Sequence, residues 1–391
     1  MIFSSLRTAF FRNLADDEVF TGAKDVFLIG ENGQGKTNFL EALYFCAYAS
    51  SFRGARDTEL ARNGEKDFSA SVKIAEAGDG EKNNAPRGMF SEILVKFEKG
   101  KKNVLIDGKR VEDRKDLLSV APCIVFCHED MEFVAGSPEQ RRWFFDQALS
   151  LYDPVYLDDL RRYRRVLKSR NTVLRDYVLR RLAGSPEPLL DALDLQYVQY
   201  GIKLMEKRET AARLFSGVFG PLYEEVSGIA GIMVRYAPSW KAGTADSAAD
   251  SEDEAGMEAQ VHRLRERRAS DLAAGISLSG PHRDRYAFTR DGAEFAGKAS
   301  TGQRRLLALL LRVAQARRFF EMTGKNPVLL LDDVLLEMDG EKRRRFLSVL
   351  PGYDQAFYTF LPEEPFRRYR KADTLVYQVE AGRIFPAEAG A

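Results

Sequence analysis

The sequence predicts an α/β fold that is interrupted by a helical lobe. Short apolar runs with strand character occur towards both ends of the 391-residue chain, and two long amphipathic segments lie between them. A chain of this length can bury a core and hold two or three domains. We expect the N-terminal part of an α/β domain at 1–136, a helical lobe at 137–275, and the C-terminal part of the α/β domain at 276–391.

Composition and charge exclude several classes of protein. With 45% hydrophobic and 30% charged residues, the chain resembles an ordinary globular protein. It has no apolar run long enough to span a bilayer and no signal-peptide pattern, so we expect a cytoplasmic protein without a membrane partner. Because the net charge is only +1, nucleic acid would have to be bound by local basic patches.

The three cysteines predict neither disulfides nor a metal site. Cys123 and Cys127 lie in an apolar run next to His128, but no second pair of metal ligands occurs elsewhere. We expect them to be buried in a strand.

A glycine-rich loop follows the apolar run Val26–Ile29 and precedes a helical pattern. Its eight residues carry glycine at the first and sixth positions and end in Lys and Thr, which is a phosphate-binding pattern. Strand, loop and helix in this order place backbone N–H groups and the positive end of a helix around a phosphate. We therefore expect a nucleoside triphosphate to be bound by Gly30, Glu31, Asn32, Gly33, Gln34, Gly35, Lys36 and Thr37.

A second apolar strand, at residues 327–331, ends in Asp332 and Asp333. Such a strand places Asp332 at its exposed carboxyl end, where it would hold Mg²⁺ together with Thr37. Asp333 would orient or deprotonate the attacking water, and Lys36 would stabilise the charge on the phosphates. We expect Lys36, Asp332 and Asp333 to be the catalytic residues.

A third segment, Ser300-Thr301-Gly302-Gln303, opens a long apolar helix, whose N-terminus can attract an anion. Between the glycine loop and the acidic strand, this segment resembles the signature motif of ABC-type ATPases. The resemblance implies that Ser300, Gly302 and Gln303 cover the γ-phosphate held by a second subunit. Residues 337–339 resemble the D-loop of those ATPases, which lies at the dimer seam.

Motifs along nearly the whole chain resemble the RecF family, the bacterial recombination-repair ATPases of the SMC/Rad50-like group. The resemblance implies an ABC-type P-loop ATPase head with an inserted lobe, and a weak, DNA-stimulated ATPase that uses ATP and Mg²⁺. The matching stretches are FFRNL, GENGQGKTNFLEALYF, SFRGARDTEL, VFCHEDMEFVAGSPEQRRWFFDQALS, YRRVLKSRN, SGPHRDRYAF, TGQRRLLALLL and LLLDDVLLEMD.

The same resemblance implies partners. It implies a homodimer that forms with ATP and binds DNA at single-strand gaps or junctions, largely independently of sequence. It also implies cooperation with RecO and RecR in loading RecA, in support of replication, gap repair and the SOS response. A nucleoid-associated protein is therefore expected.

The chain departs from the family pattern at several positions. Arg285 replaces the last Asp of Gly-Pro-His-Arg-Asp-Asp, and Arg304 replaces the second Gln of the signature. Thr359, followed by Phe360, is the one hydroxyl left as a candidate γ-phosphate sensor, and LLEMD replaces the usual Ser-Glu-Leu-Asp ending. These departures bear on the hydrolysis rate and on dimer strength rather than on ATP binding.

The middle of the chain predicts an antiparallel helical hairpin. A helix start at Ser137-Pro138 and two amphipathic stripes are separated by the Pro-rich turn 185–188. Residues 241–258 are rich in Ala, Ser and acids, so we expect a disordered surface insertion there. Asp-Gly pairs predict β-hairpin turns at Asp107-Gly108 and Asp291-Gly292.

Basic clusters in this part of the chain are candidates for contact with DNA phosphates, although a solvated helix face is the commoner meaning of such runs. His282 is expected to brace its loop rather than to contact nucleotide. The clusters are Arg141-Arg142, Arg161-Arg162, Arg164-Arg165 with Lys168 and Arg170, Arg263 to Arg268, and Arg343 to Arg345.

Two other functions are compatible with the glycine loop. An ABC-type ATPase subunit of a transporter would share the motifs, but the chain lacks a clear Q-loop glutamine and a switch histidine. Another P-loop enzyme, such as a small-molecule kinase, would need no signature segment.

Overall fold

The computed structural model describes residues 1–75, 91–182, 184–240, 252–335, 338 and 340–387. The chain forms two compact units. Unit one comprises Met1–Asp130 and Arg305–Ala391, and unit two comprises Met131–Arg304.

Unit one is built from both ends of the chain. Its elements, in order, are β1 (Ile2–Ala9), β2 (Glu18–Phe20), β3 (Asp25–Ile29), α1 (Lys36–Tyr48), β4 (Phe68–Ala75), β5 (Ser91–Glu98), β6 (Lys101–Ile106), β7 (Lys109–Arg110), α2 (Arg114–Val120) and β8 (Cys123–Phe126), and later β12 (Val328–Leu331), α9 (Gly340–Val349), β13 (Ala356–Phe360), β14 (Leu375–Glu380) and β15 (Arg383–Pro386).

Unit two is mainly helical, and a further helix, α8 (Thr301–Thr323), begins in it and continues into unit one. The other elements of unit two are α3 (Glu132–Ala135), α4 (Pro138–Tyr152), α5 (Pro154–Val178), α6 (Glu187–Ser227), β9 (Ile232–Ala237), α7 (Glu252–Ala274), β10 (Arg285–Arg290) and β11 (Ala293–Glu294).

The unit boundaries differ from the expected ones. The first lies at 130/131 instead of 136/137, and the second at 304/305 instead of 275/276. The second difference has a physical reason: β10 pairs with β9 along its whole length and with β11, so residues 285–294 are hydrogen-bonded into the sheet of unit two.

Unit one contains two six-stranded sheets. One is antiparallel, with the order β2-β1-β4-β5-β6-β7. The other has the order β15-β14-β3-β13-β12-β8, and all neighbours are parallel except β14 and β15. Helix α1 packs against strands of both sheets, and ten of its 13 residues are buried. A helix that is apolar all round needs such an enclosed position.

The two predicted Asp-Gly turns are confirmed. Asp107-Gly108 joins β6 to β7 and Asp291-Gly292 joins β10 to β11, and all four residues have positive φ. Positive φ at both central residues defines the type I′ turn, which matches the twist of the strands. Ala381-Gly382, between β14 and β15, adopts the same conformation, although no Asp-Gly pair marks it.

Unit two contains the predicted helical hairpin. The Ser137 side chain and Gln140 form a capping box at the start of α4. Helices α5 and α6 run antiparallel, since Lys207 bonds Asp153 at one end and Arg170 bonds Asp194 further along. The expected disordered insertion is corrected in part: 241–251 lie outside the described residues, but 252–258 belong to α7.

His282 braces its loop, as predicted. Its Nε2 lies 3.0 Å from the Ser277 carbonyl oxygen and donates to it, so Nδ1 accepts from the Tyr163 hydroxyl at 2.9 Å. The pKa of His282 is lowered to about 4, chiefly by burial; the hydrogen bond to Ser277 acts in the opposite direction, and the charge of nearby Arg283 acts in the same direction as burial.

This buried histidine predicts a pH dependence of the stability of unit two. The folded pKa lies below the unfolded value of 6.5, so the contribution is complete above pH 6.5 and is lost as the pH falls towards 4. We expect His282→Gln to remove on the order of 2 kcal/mol of this pH-dependent loss. Both tryptophans, Trp143 and Trp240, lie in unit two, so urea titrations followed by their fluorescence at pH 7 and pH 5 measure it. His262→Gln, at an exposed position of α7, is the control. The prediction would be contradicted if the free energy of unfolding fell equally between pH 7 and pH 5 in wild type and H282Q.

Candidate nucleotide-binding site

The glycine loop joins β3 to α1 in unit one, as predicted. Gly33 and Gly35 have φ values of 78° and 121°, which are accessible to glycine at little cost. At Gly30, a β-carbon would lie 2.4 Å from the carbonyl oxygen of Val379 in β14. These positions therefore require glycine for two different reasons: backbone conformation and close approach.

Lys36 is held across this loop. Its side chain is only 4% exposed, and Nζ donates to the carbonyl oxygens of Gly30 at 2.6 Å and Glu31 at 3.2 Å. A buried ammonium group needs such partners. The charge is thus positioned at the loop before any anion arrives.

Thr37 and Asp332 meet although 295 positions separate them. In the parallel sheet β13 lies between β3 and β12, so the carboxyl ends of β3 and β12 point to the same edge. The Thr37 hydroxyl donates to Asp332 Oδ1 at 3.0 Å. The structure therefore brings together the two residues predicted to hold Mg²⁺.

The environment of Asp332 fits a cation. Its pKa is raised to about 7, chiefly by burial and also by the charge of Asp333, while hydrogen bonds from Thr37 and Thr359 act in the opposite direction. A divalent cation would favour the ionised carboxylate. Hydroxyl and carboxylate oxygens are ligands that Mg²⁺ accepts, with water and phosphate in the remaining positions.

Asp333 has an unusual backbone that Thr359 supports. Its φ is 50°, a conformation that is uncommon for residues other than glycine, though tolerated by Asp. The Asp333 N–H donates to Thr359 Oγ1 at 2.8 Å, and this hydroxyl lies 2.9 Å from Asp333 Oδ1 and 3.2 Å from Asp332 Oδ1. Thr359 is itself buried, and its hydroxyl contacts both carboxylates.

A cavity of about 250 Å³ opens above the loop. Arg53 lines it, and its Nη1 donates to Asn38 Oδ1 at 3.2 Å. No role was predicted for this cation, although an Arg-Gly turn shortly after α1 was a signal for it. The lining residues are Glu31, Asn32, Gly33, Gly35, Lys36, Thr37, Asn38, Arg53 and Asp333.

The signature segment belongs to unit two, whereas the glycine loop and acidic strand belong to unit one. Ser300 and Gln303 cap the start of α8 reciprocally: the Gln303 N–H donates to Ser300 Oγ at 3.3 Å and the Ser300 N–H to Gln303 Oε1 at 2.8 Å. Thr301 and Gly302 are exposed. The predicted helix start is therefore present, with its first turn accessible from outside.

Comparison with known proteins identifies the family. A family model described as the RecF/RecN/SMC N terminal domain matches residues 2–382. The chain is 42% identical to the DNA replication and repair protein RecF of Treponema pallidum (strain Nichols), over 95% of this chain and 97% of that protein. It is 32% identical to the protein of the same name from Anaeromyxobacter sp. (strain Fw109-5), over 98% of each. The chain belongs to the RecF family.

Solved structures of this family and of Smc heads share the fold. A structure of the recombination mediator protein RecF-ATP in the RecFOR pathway has a TM-score of 0.83 at 24% identity, covering 98% of this chain and 97% of that one. The Smc head domain of Pyrococcus furiosus has a TM-score of 0.52 at 14% identity, covering 98% and 95%. The predicted fold class, an α/β ABC-type ATPase head with an inserted helical hairpin, is confirmed.

The structure describes the surroundings of several residues at which the chain departs from the family pattern. Arg304 donates to the carbonyl oxygens of Ala296 at 3.0 Å and Gly297 at 3.1 Å, so it braces the loop before α8. Arg285 is exposed on β10. Of the predicted D-loop, 337 and 339 lie outside the described residues, and the Met338 carbonyl accepts from Arg343.

The basic clusters need correction. Arg170 and Arg268 are buried and cannot contact DNA, because both form ion pairs with Asp194. A carboxylate within reach of a buried guanidinium offsets the cost of removing it from water. The exposed cations of these clusters in unit two are Arg162, Arg164, Arg165, Lys168, Arg263, Arg265 and Arg267.

The expectations about metals and membranes can be compared with the described part of the chain. Cys123 and Cys127 are both buried, as predicted, and burial raises the pKa of their thiols, but only Cys123 lies in a strand, since β8 ends at Phe126. Within the described ranges, no group of three or more His, Cys, Asp or Glu side chains is placed to hold a metal ion. None of the helices in those ranges is long and apolar enough to cross a membrane.

The position of Thr359 leads to a testable prediction. Thr359→Val keeps the shape but removes the hydroxyl that holds both carboxylates, so we expect the rate of ATP hydrolysis to fall roughly tenfold while ATP affinity is retained. Thr359→Ser should restore the rate. Steady-state kinetics with a separate binding titration measures both quantities. A loss of affinity for ATP but not for ADP would instead indicate direct contact with the γ-phosphate.

Proposed function

We propose that this protein is an ATP-dependent DNA-binding protein of recombinational repair and replication. The observation that carries the proposal is the meeting of Thr37, Asp332 and Asp333 at the mouth of the glycine loop in a member of the RecF family. Family membership also favours this function over a transporter subunit or a small-molecule kinase.

In the proposed reaction, backbone N–H groups of residues 30–37 bind the phosphates of ATP and Lys36 stabilises their charge. Mg²⁺, held by Thr37 and Asp332, would supply further charge neutralisation. Asp333 orients or deprotonates the attacking water, and its left-handed backbone aims the carboxylate from the end of β12. We expect hydrolysis to be slow and to be stimulated by DNA, as for an ATPase that switches DNA binding on and off rather than for a metabolic enzyme.

Dimerisation is part of the proposal. Ser300, Gly302 and Gln303 stand at the accessible N-terminus of α8, where a helix end attracts anions. We infer that they cover the nucleotide bound by a second copy, so that ATP bridges two subunits. One similar structure is that of the recombination mediator protein RecF-ATP in the RecFOR pathway, and this supports RecO-like and RecR-like partners for this chain.

DNA contact is proposed for the exposed cations of α5 and α7. Four basic residues lie within seven consecutive positions of α5, namely Arg162, Arg164, Arg165 and Lys168. Long basic side chains suit contacts with the phosphate backbone. Backbone contacts carry no sequence information, so binding would depend on DNA shape, such as a single-strand gap. Loading of RecA, the SOS response and nucleoid association would follow from binding at gaps.

The first test is sedimentation with a labelled gapped duplex in the presence of ATP or ADP. We expect ATP alone to produce a complex with the mass of a dimer on the DNA. Lys36→Ala is the control, because it removes the cation of the glycine loop and should abolish the ATP effect. A protein that stays monomeric and leaves DNA unbound with either nucleotide would refute the repair function.

The role of Asp333 can be tested separately. Asp333→Asn keeps a residue that tolerates positive φ, so the loop backbone is preserved while the carboxylate is lost. We expect ATP binding to persist and hydrolysis to fall by about 100-fold or more. Single-turnover hydrolysis measured with saturating protein is the appropriate assay. Normal turnover by D333N would show that another group activates the water.

A further inference from the structure

The tip of the β14–β15 hairpin lies against the glycine loop of the same unit. The Ala381 N–H donates to Gln34 Oε1 at 2.7 Å, and the Gly382 N–H donates to the Gln34 carbonyl oxygen at 2.8 Å. Gln34 thus receives two hydrogen bonds from one turn. Its side chain is directed to the hairpin and not into the cavity above the loop, whose lining does not include it.

A second segment holds the hairpin from the other side. The Ala15 N–H donates to the Gly382 carbonyl oxygen at 2.9 Å. Asn13 Nδ2 donates to the carbonyl oxygens of Gly33 at 3.4 Å and Gln34 at 3.3 Å, while its Oδ1 accepts from Asn38 at 2.8 Å. The glycine loop is therefore enclosed between residues 13–15 and the turn Ala381-Gly382.

The contact leaves no room for a side chain at position 382 of the turn. A β-carbon on Gly382 would lie 1.7 Å from the Asn13 carbonyl oxygen, a distance that no rearrangement of side chains relieves. At Gly35, the nearest backbone atom to a β-carbon would be Gly382 Cα, at 3.4 Å. Ala381 also holds a φ of 47°, which costs energy for a residue with a β-carbon. A strained turn persists only where its surroundings fix it.

We propose that the turn Ala381-Gly382 clamps the glycine loop in its phosphate-binding shape, and that Gln34 is the positioning residue through which it acts. A loop whose N–H groups are already aligned pays less ordering entropy when the phosphates bind. Loss of the clamp should therefore weaken nucleotide binding. Because the glycine loop holds the phosphates common to both nucleotides, ATP and ADP should be affected equally.

The inference rests on the proposed ATP binding and is tested with variants of the full chain. Gly382→Ala forces the turn away from Asn13, and Gln34→Met removes the side-chain acceptor at similar size. Gly108→Ala is the matched control: Gly108 occupies the same position of a type I′ turn, with φ 75° against 80° for Gly382, but a β-carbon there meets nothing within 4 Å. All three variants change unit one.

Calorimetric titration with Mg²⁺-ATP and Mg²⁺-ADP, well below the melting temperature, is the primary measurement. We expect Kd to rise roughly tenfold for G382A and about fivefold for Q34M, by the same factor for both nucleotides, and kcat at saturating ATP to change less than about twofold in G382A. G108A should bind like wild type. Without nucleotide, amide hydrogen exchange across residues 30–37 should be faster in G382A and Q34M than in G108A.

Several results would overturn the clamp. Wild-type affinity in both G382A and Q34M would do so, as would a loss confined to ATP, because that would place the effect at the γ-phosphate. If G382A does not fold, Q34M alone decides. If the wild type binds neither nucleotide, the proposed function fails, and the hydrogen exchange of the nucleotide-free proteins still tests the clamp by itself.

Discussion

The parallel pairing of β3, β13 and β12 is the constraint on which the site depends. These strands come from opposite ends of the chain, yet their register brings their carboxyl ends to one edge of the sheet. This shared edge brings together the side chains of Thr37, Asp332 and Thr359. The buried Gln355 side chain secures it at the other end of β13, because Nε2 donates to the carbonyl oxygens of Phe3, Thr21 and Ala23 while Oε1 accepts from the Phe3 N–H. A fully satisfied buried amide specifies one register, since a shifted strand would leave several polar groups unpaired.

The charges of the site have partners within the protein. Lys36 lies on loop carbonyls, and Asp332 and Asp333 share the hydroxyl of Thr359. Buried charge without such partners would cost several kcal/mol. The arrangement is nevertheless unbalanced, because burial and the charge of Asp333 together raise the pKa of Asp332 to about 7 against the hydrogen bonds from Thr37 and Thr359. In the proposed function, a cation held by these residues would offset the repulsion between the two carboxylates.

The sequence predicted those parts of the site that local chemistry determines. A glycine pattern between a strand and a helix, and a strand that ends in two aspartates, are readable because neighbouring residues create them. The Asp-Gly turns were readable for the same reason. By contrast, the burial of Arg170 depends on Asp194 and Asp271, which lie on other helices. The run of arginines around it therefore suggests an exposed helix face when only the local sequence is considered. Thr359 was recognised as a hydroxyl near the site, but only the register of β13 against β12 decides that it faces carboxylates.

The contact between Gln34 and Ala381 is another one that local sequence does not predict, since 347 positions separate the two residues. It also shows why Gly382 and Gly30 are needed: each permits a backbone approach between segments from opposite ends of the chain, Gly382 to Asn13 and Gly30 to Val379. The contacts of the glycine loop with the β14–β15 hairpin thus depend on the pairing of β14 with β3. A phosphate-binding motif is complete in eight residues of sequence, but its alignment requires the whole sheet of unit one.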